Sequence, residues 1–280
     1  MVNSELLLFL ELQKTGSSHI KLLMRTYLGG TGFNPRHARH EDACKLANLI
    51  CGGIRHPLDW YLSFWTYGCD GRGGLLRRAT TSFAPNRIRK RNFPRYPFLP
   101  FSPSSDQLEQ HIEYDSRRDA AYWKRLHRSA SDPAAFQEWL FAIHDDQNRY
   151  TAFEDYGYSP WFGQLGMYSY LTFYLYVENI DRLFSRNHAE AGNIPELIHD
   201  CKVQRYIRSE HLENDFIAAA REAGYFLTPD IISAIRNSPK TNTSNRKGKL
   251  AHFYDDSTLD LIQKLDGPLA NFHGYSLTPI

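Results

Sequence analysis

The segment Lys14-Thr-Gly-Ser-Ser18 gathers residue types that bind a phosphate. Lys14 brings a mobile positive charge, Thr15, Ser17 and Ser18 bring hydroxyl donors, and Gly16 allows an anion to approach the backbone closely. It lies between an apolar run, Leu6-Leu-Leu-Phe-Leu10, and apolar residues at helical spacing, Ile20, Leu22, Leu23 and Tyr27. A strand that turns tightly into a helix aims unpaired N–H groups and the positive end of the helix dipole at an anion. The loop is not of the GxxxxGKS/T kind, in which the lysine follows the last glycine, because Lys14 precedes Gly16. A second group of residues, Ile54-Arg-His-Pro-Leu-Asp-Trp-Tyr-Leu-Ser63, puts an arginine at a strand end and a serine two turns into the next helix. Two anion-binding groups on neighbouring strand–helix units point to a nucleotide with a second, separate phosphate.

Elements that would position these groups follow from the hydrophobic pattern. Leu6–Leu10 and Leu49–Ile54 are continuous apolar runs suited to buried parallel strands, and Val203–Ile207 reads as a further strand. Helices are expected over Glu41–Leu49, Leu58–Tyr67, Asp106–Arg128, Pro133–Ile143, Leu212–Ala223, Pro229–Asn237 and Ser257–Leu265. Ser131 or Asp132 would cap the Pro133 helix, Ser209 the Leu212 helix, and Gly224 would end the latter. Strands alternating with helices imply an α/β fold, a parallel sheet flanked by helices, in one domain over residues 1–280. Two stretches stand apart. Residues 71–100 hold eight arginines and lysines, from Arg72 to Arg95, without a single acid, and read as an exposed basic insertion that would attract an anionic acceptor or simply be solvated. Residues 150–176 are crowded with aromatics, which serve as core or as an acceptor cleft.

Composition narrows the classes. Of 280 residues, 42% are apolar and 14% aromatic, enough for a substantial core. Lys and Arg number 33 against 31 Asp and Glu, a net charge of +2, which argues against a surface built to grip nucleic acid. Four cysteines without paired spacing read as thiols of a reducing compartment. The first residues lack a basic leader, and no stretch approaches the roughly 20 apolar residues of a membrane span, so a cytoplasmic chain is expected.

The two phosphate-type motifs together resemble the sulfotransferases that use 3′-phosphoadenosine 5′-phosphosulfate (PAPS). Phe9-Leu-Glu-Leu-Gln-Lys-Thr-Gly-Ser-Ser18 is similar to their 5′-phosphosulfate loop, and Ile54–Ser63 to their 3′-phosphate motif. Tyr206–Phe216 resembles a later strand-to-helix segment, and Asn242–Gly248, Tyr254 and Phe272-His-Gly-Tyr275 resemble the C-terminal basic loop and closing aromatic motif. The sequence departs from the pattern at Gln13, His19 and His56, none of which removes a phosphate ligand.

The resemblance implies a P-loop-like sheet and a reaction in which a sulfuryl group passes from PAPS to a hydroxyl, on a carbohydrate by preference, leaving adenosine 3′,5′-bisphosphate. Lys14 would stabilise the departing phosphate, Thr15, Gly16, Ser17, Ser18 and His19 would surround the 5′-phosphate, and Arg55 and Ser63 would hold the 3′-phosphate, with Arg246 and Lys247 closing over it. The general base would be His37 or His40, oriented or replaced by Glu11 or Glu41. Tyr158, Trp161 and Tyr168 are the candidate acceptor contacts, and no metal is implied. Other readings are sulfation of a tyrosine or a small-molecule hydroxyl, an ATP-dependent phosphotransferase, and a non-catalytic binding protein on the same fold.

Overall fold

Four apolar residues, Leu7–Leu10, form the strand around which the first part of the chain is organised. The computed structural model describes residues 2–32, 44, 47–81, 103–151, 156–239 and 248–278. They fall into two compact units, one of Met1–His56, Leu175–Glu178 and Asp200–Thr243, the other of Pro57–Tyr174, Asn179–His199 and Ser244–Ile280.

The first unit is α/β. Strands β1 (Val2–Asn3), β2 (Leu7–Leu10), β3 (Thr31–Gly32), β4 (Leu49–Ile54) and β5 (Arg205–Arg208) lie in the order β3-β1-β2-β4-β5. β2, β4 and β5 are parallel, with Leu10 opposite Gly52 and Gly52 opposite Tyr206. β1 and β3 add a short antiparallel edge that the alternation of strands and helices did not announce. β2 and β4 are buried along their whole length, as parallel strands covered on both faces must be. Helices Ser17–Tyr27, Leu212–Glu222 and Pro229–Arg236 cover the sheet through a core that includes Leu7, Phe9, Ile20, Leu23, Ile207, Phe216 and Ile235. Each such side chain stabilises the fold by roughly 1.5–3 kcal/mol relative to exposure.

Local chemistry sets the ends of these elements. Gln204 leads into β5 by accepting the Ile50 N–H on its side-chain oxygen at 2.8 Å and donating its own N–H to the Ile50 carbonyl at 2.9 Å. Ser209 was expected to cap the Leu212 helix and does not. A 3-10 turn, Ser209–His211, intervenes, and the acids beside it work elsewhere. Asp215 accepts the Arg208 N–H at 2.9 Å, and Glu210 accepts the His56 N–H at 2.7 Å, which fixes the chain as it leaves β4.

The second unit is helical. Its main helices are Pro57–Cys69, Gly74–Thr80, Ser105–Arg117, Ala120–Leu126, Pro133–Ala142 and Asp256–Phe272, with most of Met167–Tyr176. Gly74–Thr80 turns part of the expected basic insertion into helix. Asp106–Arg128 is two helices rather than one. Arg118 leaves the helical conformation, and the Asp119 carboxylate then caps a new start by accepting the Ala121 and Tyr122 N–H groups at 2.8 and 3.0 Å. Asp132 caps the Pro133 helix through the Ala135 N–H. The last helix runs past Leu265 to Phe272 despite Pro268. Trp60, Trp65, Trp123, Phe136, Trp139 and Tyr168 are all fully buried and form much of this unit's core. Among the described residues no helix is long and apolar enough to cross a membrane.

One polar cluster lies inside that aromatic core, at the start of the Met167–Tyr176 helix. Two buried side chains, Tyr61 and Asp266, and the half-buried His144 take three successive N–H groups of its first turn. Met167 donates to His144 Nε2 at 3.2 Å, Tyr168 to the Tyr61 hydroxyl at 3.2 Å, and Ser169 to Asp266 Oδ1 at 2.9 Å. The Tyr61 hydroxyl donates in turn to Asp266 Oδ2 at 2.8 Å. His144 Nδ1 donates to the Leu140 carbonyl at 2.8 Å, so Nε2 is the acceptor of a neutral ring. Burial pushes the Asp266 carboxyl up to about 6, hydrogen bonds from Ser169 and Tyr61 notwithstanding. Burial also pulls His144 down to about 4.

Candidate functional site

The loop from β2 into the Ser17–Tyr27 helix adopts a left-handed backbone twice within three residues. Lys14 has φ 64° and is the only residue other than glycine with positive φ among those described; Gly16 has φ 80°. A β-carbon at Gly16 would also lie 2.4 Å from the Leu212 side chain, so glycine is required there on two grounds. A lysine in this conformation costs roughly 1–2 kcal/mol, which its surroundings must offset. Arg55, one residue beyond β4, donates from Nη1 to the Lys14 carbonyl at 2.9 Å, a charge-assisted bond worth roughly 1.5–3 kcal/mol. The two sequence motifs therefore meet at the carboxyl ends of adjacent parallel strands.

Beneath the loop the packing is close. The Thr15 hydroxyl donates to the Leu12 carbonyl at 2.8 Å and the residue is fully buried. It therefore braces the loop, and only its backbone is left for an anion, contrary to the hydroxyl role the resemblance implies. Gly53 of β4 makes the room, since a β-carbon there would lie 2.5 Å from Thr15 Oγ1. The Tyr176 hydroxyl donates to the Gly53 carbonyl at 2.7 Å and so fixes the end of β4. Gly16 is the N-cap of the following helix and no side chain caps it. His19 and Ile20 donate back to the Gly16 carbonyl, at 2.9 and 3.1 Å, so the N–H groups ahead of them are the ones an anion would meet. Ser18 is exposed and Ser17 and Lys14 are half-buried.

His19 takes a structural position instead. It is buried, with Nε2 3.3 Å from Glu213 Oε1 and 3.1 Å from Ser238 Oγ, which links the loop's helix to the Leu212 helix and to the end of the Pro229 helix. Glu11, expected as an orienting group for a histidine, is paired with Lys21 at 2.8 Å, both side chains being nearly inaccessible. Burial alone would raise the Glu11 carboxyl, but the Lys21 ammonium leads the influences that bring it below its usual value. This pair closes the base of the loop from both ends. Its sequence signal was a charge set among apolar residues on each side of the polar loop, Glu11 between Leu10 and Leu12 and Lys21 between Ile20 and Leu22.

The remaining candidates lie in the second unit or outside the described residues. Ser63 is buried in the Pro57–Cys69 helix. Tyr158 and Trp161 are each 6% exposed and Tyr168 fully buried. The Tyr158 hydroxyl shares a 2.5 Å hydrogen bond with His111 Nδ1, Trp161 Nε1 donates to the Arg182 carbonyl at 3.0 Å, and Tyr168 packs edge-on to Trp60. All three belong to the interior of that unit. His37, His40, Glu41, Arg246 and Lys247 lie outside the described residues, as does the part of the basic stretch 71–100 that begins at residue 82. No protein-family model matches the chain, and no curated protein or solved structure does so either.

Proposed function

We propose that this chain is a P-loop-like sulfotransferase that moves a sulfuryl group from PAPS to a hydroxyl, with a carbohydrate as the preferred acceptor class. The observation that carries the reading is the bond from Arg55 to the Lys14 carbonyl, which brings together two groups that the sequence motifs assign to separate phosphates of one nucleotide. The donor set fits such a ligand: a lysine, uncapped helical N–H groups, an exposed serine and an arginine, all suited to anions. PAPS, when bound, supplies an activated sulfuryl group whose bond to the 5′-phosphate is broken. Lys14 neutralises negative charge that develops on the phosphate side of that bond, and the Gly16–Ser18 backbone and hydroxyls orient the same phosphate. Arg55 holds the 3′-phosphate through donors of its guanidinium beyond Nη1. His37 or His40 takes the proton from the acceptor oxygen.

Incubation with ³⁵S-labelled PAPS and a panel of glycan, tyrosine-peptide and phenolic acceptors tests this directly. Label should pass to a glycan hydroxyl, and Lys14→Ala should reduce the rate by roughly 10²–10³-fold, the usual cost of losing one transition-state donor. Transfer to no acceptor, or an undiminished rate in Lys14→Ala, would refute the mechanism.

A further inference from the structure

Arg55 meets a carbonyl, and that fact assigns it a task separate from binding any anion. The register of the sheet places Leu10 opposite Gly52, so the chain leaving β2 and the chain leaving β4 run side by side. β4 then shapes the loop at two successive points. Gly53 leaves the space that Thr15 fills, and Arg55 bonds the Lys14 carbonyl at 2.9 Å. Lys14 is the residue that pays a conformational cost, with φ 64° on a side chain that disfavours it. A backbone in that region persists only where its surroundings over-determine it. The bond from Arg55 fixes the peptide plane that follows Lys14, and with it the direction in which the lysine side chain leaves the loop.

We propose that Arg55 is a positioning residue for Lys14: it holds the Lys14 backbone in the left-handed conformation and thereby aims the ammonium, independently of any phosphate that Arg55 also contacts. The consequence for turnover rests on the sulfuryl-transfer reading; the conformational part does not. Lysine at position 55 would keep the positive charge but offers a point ammonium without the planar fork, so it cannot serve a carbonyl and a phosphate together in the same geometry.

Two measurements test this. The first is a stability cycle by urea unfolding, comparing Lys14→Ala with Lys14→Gly in the Arg55 chain and again with Arg55→Met, which has no donor for the Lys14 carbonyl, or with Arg55→Ala should the methionine variant fail to fold. With Arg55 present, glycine should lower the unfolding constant about fivefold relative to alanine, because only alanine is strained at positive φ. Without Arg55 the loop relaxes and the ratio should fall to about one. An unchanged ratio would overturn the proposal. The second is acceptor-free hydrolysis of PAPS, in which a water oxygen bonds to sulfur, the bond to the 5′-phosphate breaks, and sulfate and adenosine 3′,5′-bisphosphate leave. Arg55→Lys should lose tenfold or more in rate at saturating donor. A rise in KM alone would make Arg55 a phosphate ligand only and would also overturn the proposal. If the wild-type chain neither binds nor hydrolyses the donor, the sulfuryl-transfer reading falls while the stability cycle still decides the positioning role.

Discussion

Replacing Asp266 by asparagine should make the protein markedly more sensitive to acid, although it removes a carboxylate. Asp266 and His144 lie on either side of Tyr61 at the start of the Met167–Tyr176 helix, and burial moves them in opposite directions. Asp266 rises from an ordinary 3.8 to about 6, so the folded chain holds this proton more tightly than the unfolded chain. Its contribution to stability is fullest below about 3.8 and is lost as pH rises through about 6. His144 falls from 6.5 to about 4, so the unfolded chain takes this proton first, and its contribution is lost as pH falls from about 6.5 through about 4. Between about pH 4 and pH 6 the two slopes cancel, each being about 1.4 kcal/mol per pH unit. Tyr61 and Tyr156, which also face the carboxylate, are both pushed upward by burial and do not titrate in this range. Asp266→Asn removes one slope and leaves the other. Asparagine keeps an oxygen for the Ser169 N–H, and its amide N–H can donate to the Tyr61 hydroxyl oxygen where Asp266 Oδ2 accepted from it. Relative to wild type, the variant should lose about 3 kcal/mol between pH 6 and pH 4, read from urea unfolding at half-unit intervals with a constant slope in denaturant. His144→Gln should show a change of similar size and opposite sign. Parallel curves for wild type and Asp266→Asn over that range would refute the account of this cluster.

Three further expectations concern the loop. Gly53→Ala puts a β-carbon 2.5 Å from Thr15 Oγ1 and should destabilise the chain by about 1–3 kcal/mol in urea unfolding, with weaker nucleotide binding because Thr15 must move. Glu11→Gln leaves the Lys21 ammonium buried without its carboxylate and should cost about 3–5 kcal/mol, whereas a joint Glu11→Leu, Lys21→Met replacement should cost far less. Because Lys21 holds Glu11 below its usual 4.5, the wild-type contribution is full above that pH and is lost as pH falls below it, a dependence absent from the double variant. Thr15→Val keeps the shape and deletes the bond to the Leu12 carbonyl, so a loss of about 1 kcal/mol should appear in the unfolding midpoint, while Thr15→Ser should restore most of it.

The elements that position the candidate site were legible because they are dictated locally. Leu6–Leu10 and Leu49–Ile54 are apolar runs bounded by loop residues, and both contain strands within a residue of that reading. Pro57, Pro133 and Pro229 each announce a helix start, and each stands in the first turn of one. What escaped the pattern depends on partners distant in sequence. The sheet edge β1–β3 uses strands of two residues, too short to carry a period. Ser209 looked like a cap because Ser before acids often is one, yet Glu210 is drawn to the His56 N–H across the sheet. Thr15 and His19 carry the right chemistry for an anion, but three-dimensional packing turns one toward Leu12 and the other toward Glu213 and Ser238. The aromatic stretch from 150 to 176 gave no sign of which rings are interior, and Tyr158, Trp161 and Tyr168 all are. The cap formed by His144, Tyr61 and Asp266 draws on three elements and has no local signature.

The central claim is that the loop at Lys14 and the arginine beyond β4 form one site for a nucleotide with phosphates at both the 3′ and 5′ positions. Calorimetric titration with adenosine 3′,5′-bisphosphate, beside AMP, ADP and ATP, measures it without any knowledge of the acceptor. The account predicts that the bisphosphate binds at least tenfold more tightly than AMP, and that Arg55→Ala abolishes this preference. Equal or tighter binding of ATP, or a preference that survives in Arg55→Ala, would contradict it.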